Sequence, residues 1–255
     1  MNRREALIDR DIESDEGFGP GTDLLASMLA LLLLILTALR LTTVAALGGE
    51  FDPHFVEANK EALVASLERA FGAPANVSPT AHDVQIIHAV GGAIIIRDFA
   101  TMQRISFGES ILFDLGQHEL SGRGRQAIAR LRGVLAERAS GFMEIQISGH
   151  TDTAGEAGYN LNLGADRAMA VYQDLGRQGA LDPARVLISA TTYGEFSPTS
   201  RNPRRDFNTR QLENANATDE RRRANRRIEI VLVYRLAASD DGSTRLPSQN
   251  AAVRQ

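Results

Sequence analysis

Leu24 to Leu39 is a run of 16 residues without a charge, and it constrains the chain more than any other feature. As a helix rising 1.5 Å per residue it is about 24 Å long, short of the ~30 Å hydrocarbon core of a bilayer. Continuing through Arg40 to Leu47 gives 24 residues, or about 36 Å. Arg40 can then snorkel to the far interface or face a protein partner. A cleaved signal peptide is the rival reading, with Val44-Ala45-Ala46 as a small-residue site. The apolar run is too long for that, and the preceding "DRDIESDEGFGPGT" is acidic rather than basic. We read an uncleaved transmembrane helix over 23–47. Arg3, Arg4 and Arg10 precede it among six acids, so loop charge does not set its orientation.

Around a helix of 100° per residue, Asp23, Ala26, Ser27, Ala30, Thr37 and Ala38 share one face, with Leu34 the one large residue among them. A small, polar stripe lets another helix approach closely. Asp23 has two readings. Beside Gly21 and Thr22 it is a helix N-cap in the headgroup layer. In a dry protein interface its charged form is disfavoured, and it can load and release a proton.

After "GGEF" and "DP", the segment "FVEANKEALVASLERAF", Phe55 to Phe71, has the spacing of an amphipathic helix. "GAPANVSPTAHD" reads as a linker. "VQIIHAV" and "GAIIIRDF" predict a strand pair around Gly91-Gly92, and "MQRISF" a further strand. "ILFDLGQHEL" is expected to end a strand and turn. Helical spacing follows over 126–139, through Ile128, Leu131, Val134 and Leu135, and again over 163–177. "MEIQISG", "RVLISATTY" and "RRRANRRIEIVLVY" predict strands, the last entered from a basic helix end. The alternation implies an α+β fold with helices packed on one mixed sheet. The expected organisation is a tail over 1–22, the span over 23–47, an amphipathic helix and linker over 48–82, a folded domain over 83–236 and a disordered tail over 237–255.

Composition excludes several functions. There is no cysteine, so no disulfide or thiolate metal site forms. His54, His82, His88 and His118 lack metal-ligand spacing, and no metal or other cofactor is expected. His150 has no nucleophile or second histidine at useful spacing, so no catalytic residue is assigned and an enzyme is not expected. The net charge is −4, aromatics are 5% and tryptophan is absent, which leaves little for stacking on nucleic acid. The cluster Arg201 to Arg227 is the one basic concentration, and nucleic acid is not among the expected partners.

"ISGHTDTAGEAGYNLNLGADRAMAVYQDL", "YGEFSP" and "RRANRRIEI", in that order and preceded by "ILFDLGQHEL", resemble the OmpA-like peptidoglycan-binding domain over roughly 105–234. The family's pattern runs strand-G-H-T-D-x-x-G, Y-N-x-x-L-S-x-x-R-A, G-Y-G-E-x-x-P, R-A-x-N-R-R-V-E-I. Three departures stand out. Gly164 replaces a usual serine, Arg221 and Arg223 replace a usual glycine and alanine, and the segment 199–223 is longer than usual. The resemblance implies a ligand, the diaminopimelate of the peptidoglycan stem peptide, whose amino-acid head carries an ammonium and a carboxylate on one carbon. It places Asp152 on the ammonium and Arg167 on the carboxylate. Thr151, Asn160, Leu163, Phe113 and Asp114 would line the pocket, and Arg222 and Arg226 would hold the domain's carboxylates or the glycan rim. Taken singly, Asp152 reads as a turn cap and Arg167 as a surface helix residue.

One N-terminal span followed by such a domain is similar to the MotB type of stator subunit. "TDLLASMLALLLLIL" is similar to that family's span, with Asp23 on its proton-binding aspartate and "FGPGT" where aromatic residues commonly stand. The resemblance implies an inner-membrane protein with a cytoplasmic N-terminus and a periplasmic C-terminal domain. It also implies a polytopic MotA-like partner, a homodimer of this subunit and a proton channel that powers a motor. The acidic N-terminal segment and the arginine-rich 199–223 lean toward a non-flagellar member, such as the Zorya antiphage defence type. The alternative is a passive tether between inner membrane and peptidoglycan.

Overall fold

The computed structural model describes residues 25, 27–38, 53–78, 81–179, 181–202 and 205–236. Asp23, Arg40 and the tail over 237–255 lie outside the described residues. The chain divides into two units, Met1–Glu50 and Phe51–Gln255. In the first, residues 27–38 form helix α1, with exposed side chains. The Thr37 hydroxyl donates within that helix, to the Leu33 carbonyl at 2.6 Å and the Leu34 carbonyl at 3.0 Å. Among the described residues no helix is long and apolar enough to cross a membrane.

The second unit is built on a seven-stranded sheet. Its strands are β1 (Ala75–Ser78), β2 (Ala81–Ala89), β3 (Gly92–Asp98), β4 (Met102–Gly108), β5 (Phe142–His150), β6 (Leu187–Gly194) and β7 (Arg227–Tyr234). They lie in the order β1-β2-β3-β4-β7-β5-β6. Only β5 and β6 pair in parallel, so the sheet is mixed, as the α+β reading expects. The helices are α2 (Pro53–Phe71), α3 (Glu109–Leu112), α4 (Gly122–Glu137), α5 (Ala157–Leu175), α6 (Thr209–Ala215) and α7 (Asp219–Asn225). Helix α2 packs on α4, and α4 on α5.

Strand alternation explains the core. In β7, Ile228, Ile230, Leu232 and Tyr234 turn to the helices and are buried. Their register sets Ile230 opposite Ile105 of β4 and opposite Ile147 of β5. Ile128, Leu131, Val134 and Leu135 of α4 complete the same cluster, on the face their spacing predicts. Helix α4 begins where Ser121 accepts the Gly124 amide at 3.0 Å, an N-cap.

Two expectations are corrected. The linker "GAPANVSPTAHD" contains β1, which pairs antiparallel with β2. An edge strand tolerates proline next to it because only one side of its ladder is used, so loop-like composition hid it. "ILFDLGQHEL" does not end a strand. Strand β4 stops at Gly108, Glu109–Leu112 is the single helical turn α3, and Phe113 forms only an isolated bridge with Leu120. A short apolar run does not separate strand from helix by periodicity. The longer segment 199–223 contributes α6, started by a capping box between Asn208 and Gln211.

The site is positioned by one close approach. A Cβ on Gly149 would lie 1.9 Å from the Gly164 carbonyl oxygen, so β5 and α5 meet backbone to backbone. A Cβ on Gly164 would lie 2.3 Å from Thr192 Oγ1, so the serine usual in the resembled family would require the Thr192 side chain to move. Gly149→Ala is expected to destabilise the domain by about 1–3 kcal/mol through overpacking, read by denaturant titration. An unchanged midpoint would remove the role assigned to this contact.

Candidate functional site

Where β5 ends, the chain turns through Thr151 and Asp152 toward α5. Asp152 is buried, and its two oxygens have different partners. Oδ1 accepts the Ala154 amide at 3.0 Å, the turn cap that local sequence suggests. Oδ2 accepts Arg226 Nη1 at 2.6 Å. Arg226 Nε donates in turn to Glu109, and Glu109's other oxygen takes Nη2 of Arg167. Arg167 Nε donates to the Gln117 carbonyl at 2.8 Å, and its guanidinium lies 5.1 Å from the Phe113 ring centroid. The four charges therefore alternate: Asp152, Arg226, Glu109, Arg167.

Each charge in this chain has lost water and is balanced by its neighbour, and breaking such a pair costs about 3–5 kcal/mol. The members are unequally buried. The Arg167 side chain is 3% exposed and that of Arg226 26%. Burial disfavours the Arg226 charge, but its hydrogen bonds to Asp152 and Glu109 and their negative charges outweigh this and hold its pKa above the ordinary value.

The structure thus brings Asp152, Arg167 and Arg226 together with Glu109, which the sequence reading missed. Asn160 supports them from α5: its buried amide donates to the Asp152 carbonyl at 3.1 Å and to Glu195 at 2.7 Å. Thr151 is buried, and its amide donates to the Gly194 carbonyl at 2.9 Å. Its hydroxyl has no hydrogen-bond partner, an arrangement that costs about 1–3 kcal/mol unless something else satisfies it. Phe113 is buried beneath Arg167, Leu163 is half-buried on α5, and Asp114 is exposed. Arg222 stays apart: it pairs with Asp219 of its own helix and donates to the Asn216 carbonyl at 2.8 Å. Sequence carried one signal for Glu109, a lone acid closing a predicted strand; its partners follow only once β4 is known to lie beside β7.

A second charged cluster lies on the sheet face turned away from the helices. Glu229 of β7 accepts Arg227 Nε at 2.8 Å, with Arg104 at 3.4 Å and His150 Nε2 at 3.5 Å. Burial alone would raise the Glu229 pKa, but His150, Arg227 and Arg104 hold it well below the usual carboxylate range. Burial lowers the pKa of His150, which stacks on Tyr193 at 5.2 Å. The segment 199–223 walls an open cavity of about 400 Å³ lined by Asn202, Arg205, Asp206, Phe207, Gln211 and Arg221 among others. Asn225 binds it to the sheet, accepting from Thr199 N at 3.0 Å and donating to the Ala215 carbonyl at 3.0 Å.

The second unit is thus a mixed sheet with helices on one face and a charge-lined turn after β5. Residues 112–211 match the model of the OmpA family. Among curated proteins it is similar to a peptidoglycan-associated lipoprotein of Buchnera aphidicola, at 27% identity over 39% of this chain and 55% of that protein. It is also similar to a photosystem I P700 chlorophyll a apoprotein A2 of Gloeobacter violaceus, at 31% identity over 49% of this chain but 13% of that protein. The matched region is thus about half or less of each curated relative. Among solved structures it is similar to a MotB-like protein from Desulfovibrio vulgaris, at 23% identity and a TM-score of 0.49, covering 71% of this chain and 98% of that one.

Glu229→Gln leaves Arg227 and Arg104 without their anion and is expected to cost about 3 kcal/mol at neutral pH. A carboxylate with a depressed folded pKa stabilises above its unfolded value of 4.5 and loses that contribution as pH falls. The gap between variant and wild type should therefore narrow below that pH in paired denaturant titrations. A gap that does not change with pH would count against the ionised Glu229.

Proposed function

We propose that the chain is a MotB-type subunit: a single-pass inner-membrane protein whose periplasmic OmpA-like domain grips peptidoglycan through the pocket at Asp152. The observation that carries the reading is the balanced charge chain Asp152–Arg226–Glu109–Arg167, with the unpartnered Thr151 hydroxyl beside it, in a domain that matches the OmpA family model. A site that offers a fixed anion and a fixed cation suits the amino-acid head of diaminopimelate. Thr151 and Asn160 line it, with Phe113 as its floor. Leu163 belongs to its wall and Asp114 to its outer edge. The name of the Buchnera lipoprotein agrees with a peptidoglycan ligand. Arg222, held inside its own helix, acts on the glycan rim by supporting the 199–223 segment.

The same proposal covers the N-terminal part. Residues 1–22 are cytoplasmic, 23–47 span the membrane, 48–82 link the span to the domain over 83–236, and 237–255 form a tail. Asp23 carries the proton, facing a MotA-like polytopic partner around a homodimer of this subunit. Neutralising a carboxylate in such an interface changes helix packing and so drives motion. The acidic N-terminal segment favours a non-flagellar motor, of which antiphage defence is one kind, over a flagellar one.

Two experiments test the two halves. Asp152→Asn should reduce retention of the full chain on purified peptidoglycan sacculi by about tenfold or more, and unchanged retention would remove the pocket. Asp23→Asn should leave retention intact and abolish proton uptake in membranes that also contain the polytopic partner. Equal uptake by both proteins, or none in wild type with the complex assembled, would leave a passive tether.

A further inference from the structure

We infer that the cavity walled by the segment 199–223 is a second binding site, separate from the Asp152 pocket. It takes an acidic sugar, a ring that carries one carboxylate and several hydroxyls. None of Asp152, Arg226, Glu109 and Arg167 lines it.

The walls of this cavity are braced from below. Asn225 is 1% exposed, and its side chain ties both ends of the segment together. Its Oδ1 accepts the Thr199 amide at 3.0 Å and the Thr199 hydroxyl at 3.2 Å. Its Nδ2 donates to the Ala215 carbonyl at 3.0 Å and to Asn216 Oδ1 at 2.9 Å. Helices α6 and α7 both start on side-chain caps, Asn208 and Thr218. The shape is therefore set before a ligand arrives, which lowers the cost of binding. Its volume of about 400 Å³ falls within the ~300–1,000 Å³ of small-molecule sites.

Two cations on the wall are not used up by the fold. The segment holds seven arginines against four acids, in a chain of net charge −4. Arg201 is engaged by the Phe196 carbonyl and the Phe207 ring, and Arg222 by Asp219. Arg205 and Arg221 line the cavity. The Arg205 guanidinium has no hydrogen bond or ion pair among the described residues. Arg221 Nη1 donates to the Asn214 carbonyl at 2.6 Å. That bond fixes the side chain and leaves Nε and Nη2 for a ligand. A planar guanidinium fork matches a carboxylate.

Asp206 limits how much negative charge the ligand can carry. It lines the same cavity and also lacks a side-chain partner among the described residues. It repels a polyanion, but it accepts hydrogen bonds from hydroxyls. Ser200 and the Asn214 amide add neutral polar groups. Phe207, half-buried and with the Arg201 guanidinium 4.9 Å from its ring centroid, supplies an apolar wall for the C–H side of a sugar ring. A bilayer surface fits less well. It would set many anions against Asp206, and among the described residues of the lining Phe207 is the one large apolar side chain that could enter it.

The test uses the full chain in detergent and three probes, galacturonate, galactose and inorganic phosphate, with affinities from calorimetry. Wild type should bind galacturonate, and bind galactose and phosphate at least about tenfold more weakly. Arg205→Ala should cut galacturonate affinity by about tenfold. Its guanidinium has no polar partner to lose, so the variant is expected to keep the fold. Asp206→Asn should weaken galacturonate and strengthen phosphate, opposite shifts that a misfolded variant would not give. The galacturonate trimer separates two sources of the same chemistry. Tighter binding than the single sugar indicates an acidic polysaccharide, and binding no tighter indicates a free sugar acid. Retention on peptidoglycan sacculi should be the same for Arg205→Ala and wild type, which keeps this site distinct from the Asp152 pocket. No galacturonate binding, or galacturonate affinity unchanged in Arg205→Ala, overturns the inference. Phosphate bound as tightly as galacturonate overturns it too, leaving a general anion patch. Retention lost in Arg205→Ala also overturns it, by making the cavity part of the wall-binding site.

Discussion

Glu109 holds two guanidinium groups that reach it from opposite parts of the fold, and the site's geometry depends on that shared carboxylate. Arg167 comes from α5, and Arg226 from the junction of α7 and β7. Without a common anion the two cations would repel each other, and neither would be worth burying. With it, both are fixed at the open end of β5, and Asp152 closes the row through Arg226. The cost of desolvating four charges is offset only because each carboxylate oxygen in the row has a directed donor.

What places Glu109 there is the sheet. Strand β4 runs antiparallel to β7 with Gly108 opposite Arg227, so the residue after β4 meets the residue before β7. The hydrogen bond between the Glu109 amide and the Arg226 carbonyl continues the ladder one step beyond the strands. On the other side, the bare backbones of Gly149 and Gly164 bring α5 against β5, which sets Asn160 and Arg167 at the same end. The polar site is thus fixed by two apolar requirements, strand register and helix-to-sheet distance.

This explains which parts were legible in sequence. Asp152 and Arg167 lie 15 residues apart on a strand–turn–helix unit, and local motifs expose both. The core face of α4 was legible for the same reason, since Ile128, Leu131, Val134 and Leu135 repeat at helical spacing. Glu109 and Arg226 are 117 positions apart, and no local pattern joins them. Their contact follows from β7 inserting between β4 and β5, a choice that propensity does not express. The helical turn at Glu109–Leu112 was hidden by a three-residue apolar run, Ile111 to Phe113, that suits a strand equally well. The edge strand β1 was hidden by the proline and serine around it.

The Gly164 departure fits the same account. Thr192 Oγ1 occupies the space that a side chain at 164 would need, and it binds both the Gly149 carbonyl at 3.2 Å and the Gly194 amide at 3.0 Å. Gly194 holds φ at +49°, a conformation that favours glycine, and its carbonyl receives the Thr151 amide. The hydroxyl from β6 therefore bonds to both strands that frame the turn: to Gly149 before it, and to Gly194 beside it. A serine at 164 would compete for that space, and the Thr192 hydroxyl would have to leave its two bonds to make room. The bare position at 164 and the threonine at 192 are parts of one packing solution, at the place where α5 meets both β5 and β6.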